Sequence, residues 1–305
     1  MEKYPFFAGK NRFVQICYFL LFIVTGIVIF SIIGAFVANL CYGSMPLMDD
    51  PRLGGYYRVV QSFGSVGAFM LPALLFAFCS DRKLFNYNKL NQTPNYLQVD
   101  IVLILSLTIL PVVMGLAEWN AGLHLPDSLA KLDQWMQQLD EQNAQLVSLM
   151  CRDPRISVLL VNLLVMGLLP ALGEELCFRG TIQPFLQKWI KNPHWAIWIT
   201  AFIFSAIHFQ ITGFIPRMLL GAYLGYLVYW SGSLWLPIVA HFMHNSLSVT
   251  AEYIFMRRGF DVDAMQLSDI HNYKYILGFA LVLTAVGVYF LWKNRKKTEN
   301  CCPQE

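Results

Sequence analysis

The adjacent glutamates Glu174 and Glu175 lie at the end of a strongly apolar stretch and could support acid–base chemistry. Arg179 follows Glu175 by four residues, so on a helix the two charges lie one turn apart in the favourable order for an ion pair. Glu174 is rotated by about 100° from Glu175 and faces elsewhere. A carboxylate held away from water binds a proton more readily, which suits a general base near neutral pH. We therefore predict Glu174 as the base and Glu175–Arg179 as its supporting pair.

Two histidine segments could supply the other groups that hydrolysis requires. His208 lies late in one apolar run, and His241 and Asn245 share a helix face in another at four-residue spacing. One imidazole would polarise a water beside Glu174, while a second imidazole and an amide are suitable donors to a developing oxyanion. The motifs GxSxG and HExxH are absent, and no serine or cysteine has an evident base. These residues predict peptide-bond hydrolysis by direct attack of water.

The elements that must position these residues are membrane helices. Of 305 residues, 56% are hydrophobic and 13% are charged, about half the charge of a soluble globular protein. A membrane-spanning helix needs about 20 mostly apolar residues. Apolar runs near that length lie at 13–40, 59–80, 101–117, 156–173, 193–211, 213–230, 234–251 and 275–292. The prediction is an all-α, polytopic helical bundle with about eight transmembrane helices, or seven if the sixth run, which contains Arg217, is not counted.

One long polar segment separates the third and fourth runs. Within residues 126–151, apolar side chains recur at three- and four-residue spacing, and Asp127 or Ser128 could cap a helix there. The pattern predicts an amphipathic helix that serves either for packing or as a lid over a substrate entrance. We divide the chain into 1–154, with three spans and this helix, a catalytic core at 155–250, and a last span with a basic tail at 251–305.

The distribution of basic residues predicts an orientation in the membrane. With eight spans, the basic groups at the N-terminus, after the second run and after the last run fall on one side, which the positive-inside tendency makes cytoplasmic. These groups are Lys3, Lys10, Arg12, Arg82, Lys83, Lys89, Lys293, Arg295, Lys296 and Lys297. We expect a multi-pass membrane protein with cytoplasmic termini, in the plasma (inner) membrane if it is bacterial. Its expected partners are the lipid bilayer and a peptide or protein substrate, and not nucleic acid.

Three motifs occur in order in the second half of the chain. They are Glu-Glu-x-x-x-Arg at 174–179, Phe-x-x-x-His at 204–208 and His-x-x-x-Asn at 241–245. Together they resemble the CAAX protease and bacteriocin-processing family, also called Abi, which is related to type II CAAX prenyl endopeptidases. The resemblance covers about residues 155–250. The N-terminal 150 residues are not part of it.

The resemblance implies a role for each matching position. Glu174 would be the catalytic glutamate, Glu175 and Arg179 its supporting ion pair, His208 the histidine that assists water activation, and His241 with Asn245 the oxyanion-stabilising pair. Phe204 matches the aromatic position, and His244 is outside the pattern. It further implies a glutamic protease without a cofactor, although such proteins were long described as metalloproteases. The substrate would be a peptide or protein, and it could be membrane-anchored or prenylated.

Three alternatives remain open on the sequence alone. Glu174, His208 and His241 could form a three-ligand zinc site with a water as fourth ligand, although their separation lacks the short ligand spacing of specific zinc motifs. A proton-coupled transporter also places Glu and His in the membrane, but no inverted repeat is visible. A catalytically silent scaffold or immunity protein would keep the same fold.

Overall fold

The computed structural model describes residues 5–48, 50–81, 87–123, 125–259 and 272–296. The described residues form helices joined by short connections, and they contain no β-strand. The expected all-α membrane bundle is confirmed. The ten helices are α1 Arg12–Tyr42, α2 Leu53–Ser80, α3 Tyr96–Thr108, α4 Leu110–Ala121, α5 Ala130–Cys151, α6 Ile156–Ile190, α7 Pro193–Ala206, α8 Phe214–Ser231, α9 Trp235–Arg258 and α10 Tyr273–Lys293.

Local sequence signals explain where several helices begin and end. Asn11, Asn95 and Asn192 precede α1, α3 and α7, and each side chain accepts a hydrogen bond from a backbone N–H of the first turn. Such caps satisfy donors that have no partner within the helix. Gly232, in the left-handed region at φ 69°, ends α8 and starts the tight turn to α9. Helices α8 and α9 therefore form a tight helical hairpin at Ser231, Gly232 and Ser233.

The number of helices that pass as membrane spans is lower than predicted. Among the described residues, α1, α2, α6 and α10 are long and apolar enough to cross a bilayer, and α3 with α4 can form a fifth span. The predicted run 101–117 is divided at Ile109 with a bend of 43°, where Pro111 starts α4. The predicted run 193–211 ends at Ala206, because α7 has only 14 residues. The predicted eight spans are thus corrected to four or five on length and apolarity.

Helix α6, which carries the glutamates, runs for 35 residues without interruption past Pro170. Two turns within it, Leu163–Leu168 and Phe178–Ile182, are π-helical. Pro170 lies just after the first π-turn, at the start of an α-helical segment. At this position the absence of a backbone N–H costs little stability. This continuity carries Glu174 to the middle of α6 instead of leaving it at the end of a span.

Helix α1 packs on α2 through a crossing of two glycines. A Cβ on Gly26 would lie 2.1 Å from the Gly67 carbonyl oxygen, and one on Gly67 would lie 2.5 Å from the Gly26 carbonyl oxygen. Only glycine allows backbones to approach this closely, as in other membrane helix pairs. The Phe7 N–H also donates to the Cys79 carbonyl at 3.0 Å, which fixes the start of α1 beside the end of α2.

The amphipathic segment is a packed helix on the bundle. The helix α5 begins at Ala130 after a 3-10 turn at Asp127–Leu129, and neither Asp127 nor Ser128 caps it, so that part of the prediction is wrong. Its C-terminal Met150 lies in an apolar cluster with residues of α6 and α9. Its Trp135 ring meets Phe209, just beyond α7, with ring centroids 5.7 Å apart.

Both described ends of the chain lie at the same end of the bundle. The Lys89 carbonyl accepts from Leu234 N–H, and Lys296 N–H donates to the Trp230 carbonyl at 2.8 Å. Trp235 Nε1 also donates to the Leu90 carbonyl at 2.8 Å, which ties the segment after α2 to the start of α9. Lys3, Arg82, Lys83 and Lys297, used in the orientation prediction, lie outside the described residues.

Candidate active site

Glu175 is the centre of a buried polar cluster on α6. Its side chain is fully buried, and its Oε1 accepts a hydrogen bond at 2.7 Å from Nη1 of Arg179, one turn later. Arg179 is equally buried and donates from Nη2 to the Gly221 carbonyl at 2.9 Å. Its guanidinium also lies 4.6 Å from the centroid of the Phe204 ring. The Glu175–Arg179 pair therefore joins α6 to α7 and α8 in the interior of the bundle.

Helix α9 brings His241 against both glutamates. Nδ1 of His241 lies 2.8 Å from Glu175 Oε1, and Nε2 lies 3.8 Å from Glu174 Oε2. The first distance is a hydrogen bond, in which a carboxylate can only accept, so Nδ1 carries the proton. The second is too long for a direct hydrogen bond. Nε2 of His241 and the Glu174 carboxylate thus face each other across a short polar gap.

His208 reaches this cluster through Phe204. Nδ1 of His208 donates to the Phe204 carbonyl at 2.8 Å, because a carbonyl can only accept, and this leaves Nε2 without the proton in the neutral ring. The Phe204 ring meets the ring of His208 at 5.3 Å and that of His241 at 6.1 Å between centroids, both edge-on. Both imidazoles therefore contact the same aromatic ring.

The structure brings Glu174, Glu175, Arg179 and His241 into one contact network. His208 borders that network, and Asn245 lies half-buried one turn beyond His241 on α9. His244, which falls outside the sequence motif, has a buried Nδ1 without a hydrogen-bond partner in the described part of the chain. The roles assigned to these residues remain predictions.

Arg217 is a candidate site residue that the motifs did not indicate. In the sequence it stood out only as a charge within the sixth apolar run. It lies in the first turn of α8, hydrogen-bonds to Gln210, and acts electrostatically on both Glu174 and His208. Its Nη1 is buried and has no hydrogen-bond partner among the described residues. An arginine inside an apolar run is costly in a bilayer. That cost is the sequence signal that could have placed Arg217 near the site.

Glycines on α8 let the surrounding helices close around the cluster. A Cβ on Gly221 would lie 3.2 Å from Cδ1 of Phe204, and one on Gly225 would lie 2.8 Å from Oε1 of Gln183. Gln183 Nε2 donates to the Gly225 carbonyl at 3.1 Å. The small residues therefore permit α8 to approach α6 and α7 closely enough for direct hydrogen bonds to its backbone.

The described side chains do not assemble a ready-made metal site. In the ranges that the structure describes, no three His, Cys, Asp or Glu side chains form a group that could hold a metal. Nδ1 of His208 and Nδ1 of His241 donate to protein acceptors, which leaves Nε2 of each ring as the nitrogen that can contact a ligand. We therefore derive no step of the chemistry through a metal.

Comparison with known proteins bears on the same region. The family model described as Rce1-like, type II CAAX prenyl endopeptidase Rce1-like, matches residues 156–247. This segment is similar to that family. It begins at the first residue of α6, ends within α9, and contains all six predicted site residues. The resemblance seen in the three motifs is thus confirmed, and the family supports a membrane protein with a CAAX-protease-like endopeptidase segment.

One curated relative is the uncharacterized protein YpbD of Bacillus subtilis (strain 168). It is 31% identical over 90 residues, which are 28% of this chain and 43% of the relative. The chain therefore spans less than half the length of this relative. No solved structure matches the chain. The family model does not cover helices α1 to α5.

Proposed function

We propose that the protein is an intramembrane endopeptidase in which Glu174 activates water for attack on a peptide bond. The observation that carries this proposal is the facing pair of Glu174 Oε2 and His241 Nε2, 3.8 Å apart. A water at about 2.8 Å from each atom, the usual length of such a hydrogen bond, can contact both at once. Glu175 holds His241 from behind through Nδ1, so the imidazole is fixed in the orientation that this water requires.

In the proposed reaction, Glu174 removes a proton from the water, whose oxygen then attacks the carbonyl carbon of the scissile bond. The carbonyl electron pair moves to oxygen and forms an oxyanion. The C–N bond then breaks, and the proton held by Glu174 passes to the leaving nitrogen. His208 assists in orienting the water. To stabilise the oxyanion together with Asn245, His241 must carry a second proton at Nε2, because its Nδ1 already donates to Glu175. No metal or other cofactor takes part.

The depth of the site supports a membrane-anchored substrate. Glu174 is the nineteenth of the 35 residues of α6, and its side chain is largely buried. A scissile bond must therefore enter the bundle near the middle of a span. A peptide carrying a prenyl group partitions into the bilayer through its buried methylene groups. A prenylated C-terminal peptide, or another lipid-anchored or membrane-spanning peptide, fits this position better than a soluble peptide.

The proposal also includes an orientation. Near the end of the bundle that contains both chain ends lie Lys10, Lys89, Lys188, Lys191, Lys293 and Lys296. Positive residues concentrate on the cytoplasmic side of membrane proteins. We therefore propose that both chain ends face the cytoplasm.

The experiment that tests the base compares three purified full-length proteins. Wild type should cleave a fluorescence-quenched farnesylated peptide ending in a CAAX sequence, and Glu174→Gln should not, because the amide keeps the shape but loses the basicity. Glu141→Gln, the same exchange at an exposed position on α5, is the matched control and should retain activity. Full activity of a folded Glu174→Gln protein would refute the assignment of the base.

A further inference from the structure

A cavity outside the glutamate cluster lies at the end of the bundle opposite to the described chain ends, residues 5 and 296. It has a volume of about 350 Å³ and lies between the end of α1, the first turns of α2 and the first turns of α6. Its polar wall consists of Tyr42, Arg58, Ser62, Arg155 and Ser157. Its apolar wall consists of Val59, Val158, Val161 and Val165. The cavity thus combines two cations and three hydroxyls with an aliphatic surface.

The two guanidinium groups have different partners. Arg58 donates from Nε to Asn162 Oδ1 at 2.7 Å and from Nη2 to the Met150 carbonyl, and it forms no ion pair with an acid in the described part of the chain. Arg155 is paired with Asp153 through Nε and Nη2, which leaves its Nη1 uncommitted. The Arg58 charge is therefore fixed by neutral partners and still lacks a counter-ion.

The cavity walls are held open by specific packing. A Cβ on Gly55 would lie 2.5 Å from the Tyr42 hydroxyl, so glycine at this position gives the Tyr42 side chain its place in the wall. Ser62 donates its hydroxyl hydrogen to the Arg58 carbonyl at 2.7 Å, which leaves the oxygen of Ser62 as an acceptor. These contacts hold the polar side chains in place without a ligand.

The cavity adjoins the lipid-facing surface of α6. Val161 in its wall is 44% exposed, and the neighbouring Leu160 and Leu164 are more than half exposed. In a bundle surrounded by lipid, exposed aliphatic side chains on a spanning helix contact acyl chains. Arg155 directly precedes α6 and Arg58 lies in the second turn of α2, so both charges are near the ends of spans, at the level of lipid headgroups.

We propose that this cavity binds an anionic phospholipid, with its phosphate between Arg58 and Arg155 and the start of an acyl chain against the valines. Guanidinium groups bind phosphate oxygens through paired, charge-assisted hydrogen bonds. The small volume holds the phosphate and glycerol region, and the remaining chain lies along the exposed face of α6.

The test measures lipid retention on the purified full-length protein. Native mass spectrometry in a neutral detergent should show dioleoyl phosphatidylglycerol retained at least several-fold better than dioleoyl phosphatidylcholine. Arg155→Gln should weaken phosphatidylglycerol binding by roughly tenfold, the loss expected for about one charge-assisted hydrogen bond. Arg52→Gln is the matched control, because Arg52 forms the same pair with Asp50 two residues earlier but does not line the cavity. It should leave retention unchanged.

A second variant tests the acyl-chain part of the proposal without touching a charge. Val161→Trp fills the mouth of the cavity and should reduce phosphatidylglycerol retention while the unfolding temperature of the lipid-free protein stays the same. Inorganic phosphate at millimolar concentration should compete poorly. Equal retention of the two lipids, equal retention by wild type and Arg155→Gln, or full displacement by inorganic phosphate would each overturn the proposal; the last would indicate a site for free anions.

Discussion

Replacing Glu175 should lower both the unfolding free energy and the activity, and a second replacement should restore only the unfolding free energy. Its carboxylate accepts from Arg179 at 2.7 Å and from His241 at 2.8 Å, and its side chain and that of Arg179 are both fully buried. Glu175→Gln removes the negative charge and leaves the Arg179 guanidinium uncompensated in the bundle interior. Breaking a buried ion pair in this way costs about 3–5 kcal/mol of unfolding free energy.

The double variant Glu175→Gln/Arg179→Met removes both charges together. Replacing a buried pair by uncharged groups of similar size is often neutral for stability, so the double variant should recover more than half of the loss. Proteolysis should not recover, because the carboxylate that fixes Nδ1 of His241 is still missing. Denaturant titration in detergent gives the unfolding free energy, and cleavage of the quenched peptide gives the activity. The reasoning fails if Glu175→Gln changes the unfolding free energy by less than about 1 kcal/mol, or if the double variant is no more stable than the single variants.

Three further outcomes are expected. Asn245→Ala should lower turnover by roughly 10²–10³ with little change in stability, the usual effect of losing one oxyanion donor, and unchanged turnover would remove Asn245 from the site. Strong chelators should leave the activity of the purified protein intact, whereas a loss that zinc restores would favour the zinc alternative. Burial, with a smaller contribution from the charge of Glu252, raises the pKa of the Cys151 thiol to about 11. At pH 8, Cys151 should therefore react with iodoacetamide far more slowly than the exposed Cys41, as mass spectrometry of the labelled protein would show.

The apolar runs were sufficient to predict the helical membrane fold, because the cost of leaving backbone groups unpaired in lipid permits few other structures. Four-residue spacing likewise placed Arg179 beside Glu175, since both lie on one helix. Contacts between helices could not be obtained in this way. The sequence does not show that His241 reaches Glu175, 66 positions away, or that Arg217 acts on Glu174. Those contacts depend on how α8 and α9 pack against α6.

The hydropathy of the sequence also did not predict the lengths of the helices. Residues 193–211 contain no Asp, Glu, Lys or Arg, yet α7 ends at Ala206 and α8 begins only at Phe214. Helix α9 packs in the same bundle and carries polar site residues. It is too polar to count as a membrane span. The polar groups on α9 lower its apolarity, and they are tolerated because they face other polar groups instead of lipid. The prediction of eight spans counted every apolar run as a full span.

The π-turn of α6 that precedes Glu174, Leu163–Leu168, makes the orientation of this residue sensitive to the number of residues before it. A π-turn holds one residue more than an α-turn, so it changes which side of the helix the following residues occupy. Deleting one residue from the α-helical stretch 169–173, with the π-turn kept, would rotate Glu174 by about 100° relative to the lipid-facing Val161. The composition of the span would hardly change, yet the carboxylate would turn away from His241. Insertions and deletions in α6 are therefore a more severe kind of variation than most substitutions of its apolar residues.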